Sequence, residues 1–246
     1  MTKRTRGPII EGTMEVKATM IDLHSHLLPS LDDGPHSFEQ SLQLAKQAWE
    51  DGTTDIACTP HCTEENCPSK ERLGETFAMI QEALPAAGMP DLHLISGAEL
   101  MISPSLASFL ENHPYLTYGG LGRYCLVELP LVDYPLYTGR VLFDLLVSGI
   151  QPILAHPERN ARLQREPHLV RQFAERGILL QANAGSFLGH YGHMAERFAY
   201  EYLRRGWLSM IASDGHNSNS RPPLLSHALK AVGWTTPTPG LPHPFP

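Results

Sequence analysis

The segment IDLHSH, residues 21–26, predicts a short buried strand that ends in two histidines. Residues two apart on an extended segment point to the same face, so His24 and His26 are placed to bind one metal ion. A single pair of this kind is weak support, because an isolated histidine is more often a hydrogen-bonded core or surface residue. The interpretation therefore depends on how the other strands of the chain end.

Six further apolar runs predict strands, and helical stretches separate them. These runs are residues 54–58, 92–95, 124–129, 152–155, 178–181 and 208–212. A capping box of Ser37 and Gln40 begins the first predicted helix, Gly52 ends it, and a second helix is predicted over residues 70–84. Alternation of this kind predicts parallel strands that are joined by right-handed crossovers.

Seven short apolar strands favour an α/β fold of the TIM-like (βα)7 barrel type over a doubly wound open sheet. The 246 residues suit one barrel domain, and no Gly/Ser linker or charge block divides them. We expect residues 1–19 to be a disordered N-terminal extension and residues 20–234 to form the barrel. Residues 235–246 hold five prolines and are expected to be a flexible tail.

Composition excludes several classes of protein. The formal net charge of −7 argues against a nucleic-acid partner, since such partners favour a basic surface. We found neither a secretory signal in the first 19 residues nor 18 consecutive apolar residues later, so we expect a cytoplasmic protein without membrane insertion.

The cysteines predict no nucleophilic catalysis. Cys58, Cys62, Cys67 and Cys125 form no C-x-x-C pair, and we expect reduced thiols, with a redox-sensitive pair of Cys62 and Cys67 as the alternative. None of them has an arginine six positions later, so the loop of cysteine-dependent phosphatases is absent. Any phosphatase chemistry must then depend on metal ions.

Potential metal ligands recur at or just past the ends of the predicted strands. They are His24, His26, Asp33, His61, Glu99, Glu128, His156, Asp214 and His216. In a parallel barrel the loops after the strands converge on one mouth, so we expect these side chains to lie together. So many buried charges would be costly without a compensating cation. The pattern therefore predicts a polynuclear metal site.

The charges of these ligands indicate how many ions the site holds. The four carboxylates, beside five neutral imidazoles, balance two divalent ions. A third ion leaves two positive charges to hold a hydroxide and a dianionic phosphate. Mixed imidazole and carboxylate ligands suit Mn, Fe or Zn better than Ca. The ligand set thus favours three ions at a phosphate-ester site.

Two arginines are predicted at the same mouth. Arg159 lies three residues after His156, and Arg221 lies five residues after His216. A guanidinium group matches two phosphate oxygens at once, which is how many metal-dependent phosphatases orient their substrates. Either arginine alone is as readily explained as an ordinary surface residue.

Taken in order, the motifs resemble the PHP-superfamily tyrosine-protein phosphatases of bacterial capsule and exopolysaccharide loci. The resemblance covers roughly residues 20–232. It is carried by the segments HSH (24–26), DDGP (32–35), TPH (59–61), GAE (97–99), AHPER (155–159), ASDGH (212–216) and RPP (221–223).

The resemblance implies a distorted seven-stranded PHP barrel with three metal ions, usually manganese. It implies one ion held by His24, His26, Glu99 and Asp214, a second by Glu99, Glu128 and His156, and a third by Asp33, His61 and His216. Arg159 and Arg221 would clamp the phosphate. The implied substrate is phosphotyrosine on the tail of an autophosphorylating tyrosine kinase that controls polysaccharide export.

The chain departs from the family's pattern just after His61. The family often has a second histidine or a basic residue there, followed by a short loop with an aromatic residue. This chain has CTEENC at residues 62–67. We therefore expect the substrate contacts made by this loop to differ.

The hypothesis for the reaction is hydrolysis of a phosphomonoester by a metal-activated hydroxide that attacks phosphorus in line. His61, His216 and a metal-bound water are the candidates for the general acid. Two alternatives stay open: a phosphoesterase of the same barrel that acts on a small phosphomonoester such as histidinol phosphate, and a barrel that binds metal or phosphate without catalysis. The sequence also leaves open whether the protein forms a homo-oligomer.

Overall fold

Strands and helices alternate along residues 20–238, the part of the chain that the computed structural model describes. The strands are β1 (Met20–Ser25), β2 (Thr53–Cys58), β3 (His61–Cys62), β4 (His93–Ser96), β5 (Glu99–Met101), β6 (Tyr124–Glu128), β7 (Gln151–Ala155), β8 (Leu179–Asn183) and β9 (Met210–Ala212). The α-helices are α1 (Phe38–Asp51), α2 (Lys70–Ala83), α3 (Leu106–Asn112), α4 (Thr138–Val147), α5 (Ala161–Arg165), α6 (Pro167–Glu175), α7 (Ala184–Phe187), α8 (Gly192–Arg204) and α9 (Ser226–Val232). Short 3-10 helices cover Pro114–Leu116, Tyr118–Gly120 and Pro157–Arg159.

The paired strands are parallel, as the alternation predicts, and they form two sheets. One has the order β1-β2-β4 and the other the order β3-β5-β6-β7-β8-β9. Each predicted apolar run contains a strand, so the prediction of an α/β fold with parallel strands is confirmed. One apolar cluster takes side chains from β1 and β2 of the first sheet and from β6, β7 and β9 of the second.

Two interruptions lead the chain from one sheet to the other. Only Thr59 and Pro60 separate β2 from β3, and only Gly97 and Ala98 separate β4 from β5. The Glu99 amide donates to the Pro60 carbonyl at 3.0 Å, and His61 is then in register with Glu99. The sequence predicts His61 and Glu99 just past the ends of uninterrupted strands. In the structure, His61 instead begins β3 and Glu99 begins β5.

Hydrogen bonds also connect β1 with the segment that follows β9. The Asp214 amide donates to the His24 carbonyl at 2.8 Å, and the His26 amide donates to the Gly215 carbonyl at the same distance. Ser25 and Gly215 form an isolated parallel bridge. These bonds bring the first and last predicted ligand motifs side by side.

The predicted start and end of α1 are confirmed. The Ser37 hydroxyl accepts a hydrogen bond from the Gln40 amide, and the Gln40 side chain accepts one from the amide of His36. Gly52 ends the helix with a φ of 107°, a conformation that a residue with a Cβ rarely adopts. The turn at Gly52 lets β2 begin at Thr53, beside β1.

The cysteine prediction is wrong for two of the four residues. Cys62 and Cys67 form a disulfide, with their Cα atoms 4.5 Å apart. Reciprocal backbone hydrogen bonds between Thr63 and Asn66 fold the loop tightly enough to bring these cysteines together. Cys58 and Cys125 are free and buried, and burial raises the pKa of both thiols.

The predicted tail lies partly within the described residues. Pro237 is buried there, and its carbonyl accepts a hydrogen bond from the amide of Ile211 in β9 at 2.8 Å. The predicted extension 1–19 and residues 239–246 lie outside the described residues. Over residues 20–238, no helix combines the length and the apolar character that crossing a bilayer requires.

Candidate metal centre

The nine predicted ligands come together in space. Eight of the nine form three overlapping groups, and within each group the ligand atoms lie no more than 4.8 Å from one another. The ninth, His156, contacts Glu99. The groups are His24, His26, Glu99 and Asp214; His61, Glu99 and Glu128; and His26, Asp33, His61 and His216. The first group has the same members as the first predicted ligand set.

The first group is completely buried and tightly spaced. The Nε2 atoms of His24 and His26 lie 3.1 and 3.2 Å from Oε2 of Glu99, and both lie 3.5 Å from Oδ1 of Asp214. Two ligand atoms that each lie about 2.1 Å from a shared ion are roughly 3.0–3.5 Å apart. The observed separations therefore fit one shared cation.

Glu99 connects the first group to the second. Its Oε1 lies 2.8 Å from Nε2 of His156, while its Oε2 lies 3.1 Å from Nδ1 of His61. The same His61 nitrogen is 3.0 Å from Oε1 of Glu128. The structure thus places His61 with Glu99 and Glu128 as well as with Asp33 and His216, whereas the resemblance had implied His61 for the third ion alone.

The third group faces solvent. Oδ1 of Asp33 lies 3.5 Å from Nε2 of His61 and 3.3 Å from Nε2 of His216. The Asp33 side chain is 63% exposed, whereas the His216 side chain is buried. A cavity of about 440 Å³, lined in part by Asp33, His216 and Asn217, opens beside this group.

Three buried atoms that could bind a metal ion have no hydrogen-bond partner. They are Oε2 of Glu99, Oδ1 of Asp214 and Nε2 of His216. Buried polar atoms are normally paired, because leaving them unpaired costs their full desolvation energy. Imidazole nitrogens and carboxylate oxygens are ligands of divalent transition metals. The residues present therefore fit bound metal ions.

Two side chains hold the histidines of the first group in orientation. Oδ2 of Asp32 lies 2.6 Å from Nδ1 of His26, and Oε1 of Gln181 lies 3.0 Å from Nδ1 of His24. Burial alone would raise the pKa of Asp32, but the hydrogen bond and charge of His26 outweigh it and lower that pKa to about 2. With Nδ1 engaged, each ring presents Nε2 to the cluster. Sequence reasoning missed both roles, because nothing local to Gln181 indicates its partner.

Asp22 fixes the segment that carries Asp214. This buried carboxylate accepts hydrogen bonds from the amide and hydroxyl of Ser213 and from the amide of His24. Burial raises its pKa to about 6, although the bonds from Ser213 act in the opposite direction. Sequence reasoning missed Asp22 because it lies inside an apolar strand.

The AHPER segment contributes a further buried carboxylate, Glu158, which belongs to none of the three groups. Oε1 of Glu158 accepts hydrogen bonds from the Asn183 amide at 3.0 Å and from the Ser186 hydroxyl at 2.6 Å. Burial raises the pKa of Glu158. These bonds tie the segment after β7 to the end of β8.

Asp214 joins the cluster to both predicted arginines. Its Oδ2 lies 2.8 Å from Nη1 of Arg159, 2.7 Å from Nη2 of Arg221 and 2.6 Å from the side-chain Nδ2 of Asn183, while its Oδ1 lies among the histidines. Burial opposes ionisation, yet the charge of His24 and the close contact with His26 hold the pKa of Asp214 well below its usual range. Asp214 and His156 both adopt positive φ values, 54° and 31°, which are strained for residues with a Cβ.

Tyr191 contacts both arginines and was not predicted. Its ring centroid lies 4.2 Å from the guanidinium carbon of Arg159, a cation–π distance. Its side chain also shares a hydrogen bond with Arg221. Burial raises the pKa of Tyr191, so the hydroxyl is neutral. The residue lies before α8, where no sequence pattern indicates a role.

The chain is similar in sequence to known proteins. The sequence profile of the family described as "Capsular polysaccharide synthesis, CpsB/CapC" matches residues 20–236. Tyrosine-protein phosphatase YwqE of Bacillus subtilis is 31% identical over 205 residues, which are 82% of this chain and 79% of YwqE. Tyrosine-protein phosphatase CpsB of Streptococcus pneumoniae is 32% identical over 222 residues, with 87% and 89% covered.

A solved structure is also similar. It comes from the crystal structures of YwqE from Bacillus subtilis and CpsB from Streptococcus pneumoniae, described as unique metal-dependent tyrosine phosphatases. The TM-score is 0.80 at 28% identity, and the match covers 87% of this chain and 85% of that one. The likeness therefore extends over nearly all of the described fold.

Proposed function

The chain belongs to the CpsB/CapC family of capsular polysaccharide synthesis, and from that premise we propose that it is a metal-dependent protein-tyrosine phosphatase. The observation that carries the proposal is the position of Asp214. One of its oxygens lies among the candidate metal ligands, and the other lies within 2.8 Å of both Arg159 and Arg221. A phosphate bound beside Asp214 would contact cations on one side and guanidinium groups on the other.

The proposed cofactor is a set of three divalent ions, with Mn²⁺ as the first candidate and Fe or Zn as the others. The predicted ligand sets are retained. His61, with Nδ1 3.0 Å from Glu128 and Nε2 3.5 Å from Asp33, lies where the second set meets the third. When bound, such ions neutralise phosphate charge and lower the pKa of a water molecule.

The chain's own residues orient the ester. Arg159 and Arg221 both lie within 2.8 Å of Oδ2 of Asp214, and their planar donors suit two phosphate oxygens each. A cavity of about 440 Å³, lined in part by Asp33 and His216, opens beside the site. Because a phenol has a pKa near 10, the departing oxygen needs less protonation than an alkoxide would. The candidates for the proton donor are those that the sequence predicts: His61, His216 and a metal-bound water.

The same proposal includes a strand arrangement, a substrate and a cellular compartment. If β2 with β3, and β4 with β5, each count as one interrupted strand, seven strands form a distorted barrel. The bridge between Ser25 and Gly215 supports its closure. The proposed substrate is the phosphotyrosine-bearing tail of a tyrosine kinase, and the proposed compartment is the cytoplasm.

The test is an assay of three phosphomonoesters by protein that has been stripped of metal and reloaded with Mn²⁺. We expect hydrolysis of a phosphotyrosine peptide, far weaker hydrolysis of the matching phosphoserine peptide, and none without metal. A preference for histidinol phosphate over the phosphotyrosine peptide would instead indicate a small-molecule phosphoesterase. Absence of turnover on every ester, with metal bound, would leave a binding protein.

Tyr191→Phe is expected to raise KM for phosphotyrosine peptide by roughly three- to tenfold, with kcat within about twofold, because Arg221 loses one hydrogen-bond partner. Tyr191→Leu should raise KM further, since it also removes the ring beside Arg159. Steady-state kinetics and metal analysis of both variants measure this. Tyr200→Phe, which alters a hydroxyl near Phe187, is the matched control. A loss of bound metal in Tyr191→Phe would contradict a positioning role.

A further inference from the structure

The connection between β6 and α4, residues 129–137, presents apolar side chains to solvent immediately after the candidate ligand Glu128. Leu131 is 44% exposed, Val132 81% and Leu136 98%. Single exposed apolar residues are common, but three within six residues form a patch, and patches of this kind mark interaction sites. The patch lies at the carboxyl end of β6, where the candidate metal centre also lies.

This connection is held firmly in place. The buried side chain of Asn160 donates to the carbonyls of Pro130 and Asp133 at 2.7 and 2.8 Å, and the Ala161 amide donates to the Leu131 carbonyl at 2.8 Å. Asn160 directly follows Arg159, so the segment that carries the proposed phosphate clamp also fixes the apolar patch. The distance from patch to clamp is therefore set by the fold.

Two residues of the patch, Val132 and Leu136, line a cavity of about 220 Å³ that two arginines also line. The cavity is lined by Val132, Asp133, Tyr134, Leu136, Arg162 and Arg165. Two arginines and one aspartate line the cavity, and Arg162 also pairs with Glu166 at an exposed site, where such a pair is easily exchanged. The chain as a whole carries a formal net charge of −7, so a cavity lined by two arginines and one acidic residue is a distinguishing feature.

We propose that this surface, residues 131–136 with Arg162 and Arg165, binds the stretch of substrate polypeptide beside the phosphotyrosine, taking one apolar and one acidic side chain. The inference rests on the proposed function and adds how the polypeptide around the phosphotyrosine is recognised. A tyrosyl phosphate at Arg159 places its own backbone over the adjacent rim of the site. The apolar wall and the arginines then match an apolar and an acidic neighbour of that tyrosine.

The experiment compares a peptide with a substrate that has no flanking residues. The probes are p-nitrophenyl phosphate and a phosphotyrosine peptide with a leucine and a glutamate beside the tyrosine. The variants are Val132→Ser with Leu136→Ser, and Arg162→Gln with Arg165→Gln. Val147→Ser is the matched control, because Val147 is 71% exposed but lies at the end of α4 that leads into β7, away from the strand ends that carry the ligands.

For each double variant we expect kcat/KM on the peptide to fall by roughly tenfold, which corresponds to about 1.4 kcal/mol. Turnover of p-nitrophenyl phosphate should stay within about twofold, as should both activities of the control. Replacing the glutamate of the peptide with glutamine should lower kcat/KM of the wild-type protein by the same factor. It should not lower kcat/KM of the Arg162→Gln, Arg165→Gln variant any further. Equal losses on both substrates, or none on the peptide, would overturn the proposal.

A binding measurement separates this inference from the proposed function. The probe is the same peptide with a non-hydrolysable difluorophosphonate in place of the phosphate ester, and fluorescence anisotropy gives its Kd. Suppose that the wild-type protein hydrolyses neither ester, but the variants still bind this peptide about tenfold more weakly than wild type does. That outcome would refute the phosphatase activity and support the docking surface. Light scattering completes the test: a lower particle mass in Val132→Ser with Leu136→Ser would assign the patch to contacts between copies and overturn the proposal.

Discussion

Glu99→Gln is expected to lower kcat/KM on phosphotyrosine peptide by more than about 100-fold, since even residues that only orient metal ligands typically contribute 10- to 100-fold. Glu99 is completely buried, and its carboxylate lies within 3.2 Å of nitrogens of His24, His26, His61 and His156. Glutamine keeps the shape but removes the negative charge that two of the proposed ions share. Metal content by mass spectrometry should fall together with activity.

Glu82→Gln is the matched control for this change, because Glu82 is an exposed acid on α2. It should leave metal content and kinetics unchanged. A Glu99→Gln protein that keeps full metal content and full activity would refute a bridging role for Glu99. If Glu99→Gln keeps its metal but loses activity, Glu99 acts in the reaction and is not needed for metal binding.

Arg159→Lys is expected to lower kcat/KM on phosphotyrosine peptide by about 100-fold, the usual loss when one preorganised donor to a developing charge is removed. Lysine keeps the positive charge but not the planar pair of donors that fits two phosphate oxygens. Lysine also loses most of the stacking of the guanidinium on the ring of Tyr191. The same substitution at Arg221 should act in the same direction.

Arg171→Lys, at an exposed ion pair with Glu175 on α6, is the control and should change nothing measurable. Metal content should be normal in Arg159→Lys, since the arginine holds phosphate rather than metal. If metal content falls as much as activity, Arg159 acts through its contact with Asp214 instead. Activity within about twofold of wild type would contradict the proposed clamp.

The positions of the strands were predictable because they depend on local patterns. Each apolar run that alternated with a helical stretch contains a strand, and Ser37 and Gly52 delimit α1 as their residue types require. The set of nine polar residues was also predictable, since parallel strands place their carboxyl ends at one edge whatever the details of packing.

Other features required the tertiary structure. The interruptions after β2 and β4 bring His61 beside Glu99 and Glu128, a pairing that depends on register between strands. The disulfide of Cys62 and Cys67 depends on how one loop folds. No local pattern indicates these contacts.

The sequence by itself thus determined the alternation of seven apolar strands with helical stretches, the family and the residue types that follow the strands. Only the tertiary structure decided which donor atoms share a group and which residues support them. Gln181 lies 157 positions from His24, and Asp22 lies 191 positions from Ser213, yet each pair shares a hydrogen bond. Such contacts have no local signature, because folding rather than spacing brings the two partners together.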